Sequence, residues 1–163
     1  MSNAIRVVFD CNVLLQGLAS PGGPAGQCVQ LALDGRVLLF ISAGLITEFR
    51  DVTSRPKVVA KLRLVEARVE KFIESVAAAA TLLADFVEPF RYERDPDDSL
   101  YVNLAVAADA RCIVSRDSDL LDLMTATNAE AVDFRARFPG LRVVDPVTFL
   151  HDFGSRSIAG QGL

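Results

Sequence analysis

The chain has 163 residues, a formal net charge of −4 and a hydrophobic content of 51%, which is enough for one domain with a filled core. It contains one histidine, His151, no tryptophan and three widely spaced cysteines, Cys11, Cys28 and Cys112; this excludes a histidine-rich metal site, a disulfide framework and any Ser-His-Asp triad that does not use His151. Acidic residues outnumber basic ones, 21 to 17, which argues against coating of nucleic acid by bulk charge but leaves room for a local basic stripe, or for an acidic pocket that meets phosphates through cations.

Ile5–Phe9 is an apolar run that predicts the first strand. S-P-G-G-P-A-G follows as a turn-rich loop, read as a flexible crossing near the site, and Gln27–Leu33 as a short helix ended by Asp34-Gly35. Val37–Ile41 gives the second strand, and Ser42 caps a helix to about Thr53 that Arg55-Pro56 stops. Lys57 to about Ala80 reads as one long helix, and Thr81–Val87 as a stretch holding a short third strand. Asp95 is the N-cap, and Pro96 the first position, of a helix reaching Ala110. Cys112–Val114 is the fourth strand, Asp119–Met124 a helical turn, Leu141–Val144 the fifth strand and Pro146–Phe153 a terminal helix.

Strands alternate with helices and are apolar throughout, the pattern of a parallel sheet covered on both faces. The prediction is one three-layer α/β domain over residues 1–153, with a flexible tail at 154–163 where apolar periodicity stops. The absence of a signal peptide or membrane span, with cysteines that read as buried reduced thiols, points to the cytoplasm.

Within V-V-F-D-C-N-V-L-L the apolar run is interrupted by Asp10 and Asn12. Open parallel sheets place their sites beyond the carboxyl ends of the strands. Asp10 follows strand one directly; Asp117 follows strand four after Ser115-Arg116, with Asp119 two residues on. Glu48 borders the inward face made by Leu45, Phe49 and Val52, and Asp98 lies in the first turn of the helix before strand four. Carboxylates gathered in one crevice repel each other and call for compensation. Hard divalent cations such as Mg²⁺ or Mn²⁺ supply it through oxygen ligands, and can activate water and bind phosphoryl oxygens. Asn12 and Ser115 are placed to hold a carboxylate. Each acid also has a plainer reading: Asp10 an Asx turn, Glu48 a solvated helix residue, Asp98 a helix-dipole acid, and Asp117 and Asp119 caps of the next turn.

V-V-F-D-C-N-V-L-L, S-A-G-L-I-T-E-F, R-D-P-D-D-S-L-Y-V-N-L-A-V-A-A-D-A and C-I-V-S-R-D-S-D-L-L occur in the order found in PIN-domain proteins, and the chain resembles that family over residues 5 to 150. The resemblance implies a metal-dependent ribonuclease, a toxin of a bacterial toxin–antitoxin pair, with an antitoxin protein as partner and often a homodimer. It implies strand order 3-2-1-4-5. It places the family's acids on Asp10, Glu48, Asp98 (with Asp97 as the adjacent alternative) and Asp117, with Asp119 as an accessory and Ser115 where threonine is commoner.

On the helix read from Lys57, the residues Lys57, Lys61, Arg68 and Lys71 form a basic flank beside the apolar arc, a phosphate rail for RNA together with Arg116, or else a solvated helix edge. Two rival functions stand beside the ribonuclease. One is a phosphatase of the haloacid-dehalogenase type, in which Asp10 is the nucleophile; Asn12 then stands where its general acid belongs. The other is an inactive RNA- or protein-binding module on the same fold.

Overall fold

In the computed structural model, which describes residues 4–154, the apolar runs pair into a five-stranded sheet. The strands are β1 (Arg6–Phe9), β2 (Leu38–Ile41), β3 (Thr81–Leu82), β4 (Cys112–Val114) and β5 (Arg142–Val144). Their order is β3-β2-β1-β4-β5 and every pairing is parallel. Helices flank the sheet in a three-layer α/β/α arrangement. Val7, Val8 and Phe9, and Cys112, Ile113 and Val114, are fully buried, because both faces of the central strands are covered. That is why they read as unbroken apolar runs instead of alternating ones.

The helices are α1 (Cys11–Ala19), α2 (Pro24–Leu33), α3 (Ala43–Ser54), α4 (Pro56–Leu62), α5 (Glu66–Ala79), α6 (Ser99–Ala107), α7 (Ser118–Asp122), α8 (Ala129–Arg137) and α9 (Pro146–Phe149). A 3₁₀ turn, Pro96–Asp98, leads into α6, and a π-helical turn, Leu150–Gly154, follows α9. α6 lies against β1, β2 and β4, while α1, α2, α3, α5 and α9 pack among themselves. Among the described residues no helix is long and apolar enough to cross a membrane.

Several expectations are corrected. The first strand lies where expected, but V-V-F-D-C-N-V-L-L also opens an unforeseen helix: Asp10 follows β1 and caps α1, and Val13, Leu14 and Leu18 continue the apolar run on helical spacing. The long helix from Lys57 is two helices. Arg63 takes a left-handed conformation (φ 52°), the Leu64 N–H returns to the Val59 carbonyl at 3.0 Å, and α5 restarts at Glu66. No glycine marks that stop, so the sequence conceals it. The short strand expected within Thr81–Val87 is β3, Thr81–Leu82. α8, capped by Asn128 and anchored by buried Phe134, has too few apolar residues to stand out in the sequence. The expected tail falls almost wholly on residues 155–163, outside the described residues.

S-P-G-G-P-A-G is a packed corner, not a flexible crossing. The Gly23 N–H donates to the Ser20 carbonyl at 3.0 Å, and Pro24 opens α2. The corner lies at the end of α1 remote from Asp10. A methyl group on Gly26 would sit 2.1 Å from the Pro21 carbonyl oxygen, whereas one on Gly22 meets nothing within 4 Å. Gly26→Ala is therefore expected to lower unfolding free energy by about 2 kcal/mol or more, and Gly22→Ala to change it by less than about 0.5 kcal/mol. Equal effects in urea unfolding would contradict a packed corner.

Candidate metal centre

β1 and β4 pair with Phe9 opposite Val114, and the Asp10 N–H continues the ladder to the Val114 carbonyl at 3.1 Å. This register sets Asp10 beside Ser115 at the carboxyl edge of the sheet. The Ser115 hydroxyl donates to Asp10 Oδ2 and accepts the Asp117 N–H at 2.9 Å. Asp10 Oδ1 accepts the Val13 N–H at 2.8 Å, and Asp117 Oδ1 accepts the Asp119 N–H at 2.7 Å. Asp10 is 3% exposed. Burial pushes its carboxyl up to about 6; the Ser115 and Val13 hydrogen bonds pull against this, and the charges of Asp117 and Glu48 add to it.

β2 is the other neighbour of β1, and α3 follows it. The Ser42 hydroxyl caps α3 by accepting the Leu45 N–H at 3.1 Å, and Leu45 and Phe49 bury the helix's inner face. This leaves Glu48 half-buried at the sheet edge. Its Oε2 accepts a hydrogen bond from the Tyr101 hydroxyl at 2.5 Å.

The third contribution comes from the segment before α6. Asp98 is 4% exposed, whereas Asp97 is exposed. Asp95, Asp98 and Asp119 each offer a carboxylate oxygen, and these oxygens lie within 4.8 Å of one another. Asp98 Oδ2 is buried and has no hydrogen-bond partner among the described residues. Burial pushes the Asp98 carboxyl up to about 8, with the charges of Asp117, Asp95, Asp10 and Asp119 adding. Arg94 partly offsets this charge from the rim, at 2.6 Å from Asp119 and 3.0 Å from Asp122. The Tyr92 hydroxyl donates to the Asp119 carbonyl at 2.9 Å.

The arrangement fits a hard divalent cation. Its donors are all carboxylate oxygens, they belong to one electrostatically coupled group, and a buried oxygen lacks any donor. Of the predicted acids, Asp98 and Asp119 meet Asp95 within 4.8 Å, while Asp10 and Asp117 couple to Asp98 by charge and share Ser115, and Glu48 couples to Asp10. Asn12 is exposed on the first turn of α1, and the contacts to Asp10 come instead from Val13 and Ser115. Arg116 is exposed next to Asp117. Lys57 and Lys61 lie on α4 and Arg68 on α5, so the break at Arg63 divides the basic flank between two helices. Arg68 reaches toward the Leu18 carbonyl at 3.5 Å. Sequence reasoning used Asp95 only as a cap and passed over Tyr101. For Asp95 its spacing of three residues from Asp98 was the available signal. For the Arg94 ion pairs there was none.

The fold is thus of the parallel three-layer α/β/α class, with a candidate metal centre, Asp95, Asp98 and Asp119, among its acids. The family model for the PIN domain matches residues 6–119, and the chain belongs to that family. The match spans Asp10, Glu48, Asp95, Asp98, Asp117 and Asp119. Comparison with curated proteins gave no match.

In metal-free protein, both raised carboxyls hold protons more tightly folded than unfolded. Their contribution to stability is fully present below the ordinary value near 3.8 and is lost as pH rises through about 6 and about 8. Thermal melts in EDTA should therefore show Asp98→Asn stabilised relative to wild type at pH 8.5, by about 1 kcal/mol, with the gain fading toward pH 4. A variant less stable than wild type at pH 8.5 would contradict the repulsion described. Arg94→Ala removes the internal counter-charge from Asp119. Calorimetry should then show tighter Mn²⁺ binding than in wild type, and weaker binding would make Arg94 a support of the centre instead of a competitor.

Proposed function

We propose that the protein is a Mg²⁺- or Mn²⁺-dependent endoribonuclease that hydrolyses RNA phosphodiesters. The observation that carries this reading is the buried, unpartnered Asp98 oxygen among carboxylates from two parts of the chain, Asp95 beside it and Asp119 after β4, in a member of the PIN domain family. Asp10, Glu48, Asp98 and Asp117 hold the cation, assisted by Asp119, and Asp95 joins them from the cap position. A bound cation supplies charge stabilisation on the phosphodiester and a nucleophile from water near neutral pH.

The chain's own groups do the rest. Ser115 fixes the orientation of the Asp10 carboxylate and, through the Asp117 N–H, the start of α7. The acids alone would repel a phosphate, so cationic side chains must bring it in. A cleft of about 790 Å³ is lined by Glu48 and includes Arg55, Arg91, Thr47 and Ser99. Of the proposed cation ligands it holds Glu48, and of its two guanidinium groups Arg55 is paired with Asp51 at 2.7 Å. Arg116 flanks Asp117, and Lys57 and Lys61 on α4 add further cations, whereas Arg68 on α5 turns to the Leu18 carbonyl at the far end of α1. The family reading makes the protein a cytoplasmic toxin of a toxin–antitoxin pair, with an antitoxin as protein partner and a homodimer as its assembly.

Asparagine caps helices as well as aspartate, so Asp10→Asn should keep the fold while removing a cation ligand. Cleavage of an RNA pool in Mn²⁺ should fall at least about 1,000-fold, with a cooperative melt retained, and wild type in excess EDTA should be inactive. Undiminished cleavage in either case refutes the mechanism. Failure of wild type both to bind Mn²⁺ and to cut any RNA favours the binding module.

A further inference from the structure

We propose that Tyr101 is a positioning residue of the metal centre, fixing the Glu48 carboxylate relative to Asp10. This rests on the cation-binding part of the reading above. The Tyr101 side chain is 3% exposed and lies on α6, three residues beyond Asp98. A ring there would pack as well without its hydroxyl, as phenylalanine. The hydroxyl donates to Glu48 Oε2 at 2.5 Å and accepts the Cys11 N–H at 3.2 Å. Cys11 is the first residue of α1, directly after its cap, Asp10.

One hydroxyl thus ties α3 to the first turn of α1 through α6. The path continues from Asp10 to Ser115 and from Ser115 to Asp117. A hydrogen bond from a neutral hydroxyl to a carboxylate is short and directional. The hydroxyl oxygen already accepts the Cys11 N–H, so its own proton is directed to Glu48 Oε2. With Oε2 engaged, Oε1 is the Glu48 oxygen available to a cation. Without the hydroxyl, a half-buried glutamate side chain with three rotatable bonds regains rotamer freedom at the centre.

Calorimetric titration with Mn²⁺ tests this as a double-variant cycle. Tyr101→Phe should weaken binding about 10-fold, and Glu48→Gln at least as much. The combined Tyr101→Phe/Glu48→Gln variant should bind no more weakly than Glu48→Gln alone, since Tyr101 acts through Glu48. Wild-type affinity in Tyr101→Phe overturns the proposal, and so does a loss that adds in full to that of Glu48→Gln, the mark of a general structural effect. The cycle reads cation binding and not cleavage, so the role of Tyr101 can hold even where the ribonuclease reading fails; a wild type that binds no Mn²⁺ overturns both.

Should Tyr101→Phe fail to fold, ¹⁹F spectra of otherwise wild-type protein carrying 3-fluorotyrosine report the same contact. There are two tyrosines in the chain, and Tyr92→Phe assigns their resonances. The Tyr101 resonance should shift with Mg²⁺ in step with occupancy. A resonance that ignores saturating Mg²⁺ overturns the proposal.

Discussion

Asp98 carries a carboxyl group into a crevice already occupied by Asp95 and Asp119, and one of its oxygens meets no donor there. Asp10, a second buried carboxyl, feels the charges of Asp117 and Glu48. Leaving such groups uncompensated opposes folding. Protons can relieve the repulsion only at the cost of the negative charge that makes the crevice useful. Arg94 relieves it at the rim, where it reaches Asp119 and Asp122, but it is not paired with the unpartnered oxygen of Asp98. A hard cation would meet that oxygen and its neighbours together. The surrounding architecture can be understood as what holds these acids in place against their mutual repulsion.

The sheet does most of that holding. β1 lies between β2 and β4, so successive crossovers leave it in opposite directions and open a crevice at its carboxyl end. Register then does what proximity alone could not. A slip of one residue between β1 and β4 would turn the Asp10 and Ser115 side chains to opposite faces. The full burial of Val8, Phe9, Ile113 and Val114 prevents that slip. Glu48 depends on the Ser42 cap and the buried Phe49, which set the rotation of α3. The segment bearing Asp95 is held by buried Asn103, whose amide exchanges hydrogen bonds with the Phe90 backbone at 2.9 Å in both directions.

Much of the fold was legible because the relevant signals are local. Continuous apolar runs marked β1, β2 and β4, and Ser42, Asp95 and Arg55-Pro56 marked helix boundaries in their own neighbourhoods. The acids were legible as residue types at the ends of strands. Their meeting was not, because it depends on strand order and register. Asp95 read as a cap and is one, accepting the Asp97 N–H at 3.1 Å; only the folded chain brings it to Asp119. Tyr101 shows no function in sequence because its partners lie on α3 and α1. The stop at Arg63 lacks the glycine that usually announces one, and α8 buries too few residues to show a periodic face. The apolar run through Asp10 fits a strand and a helix equally until the cap divides it.

Anomalous scattering from a crystal soaked in Mn²⁺ decides whether these distant carboxylates share a cation. If they do, a manganese peak lies within coordination distance of Asp98 and of at least two of Asp10, Glu48, Asp95, Asp117 and Asp119. A well-ordered crevice with no peak at saturating Mn²⁺, or manganese bound only at surface carboxylates elsewhere, would contradict a shared cation.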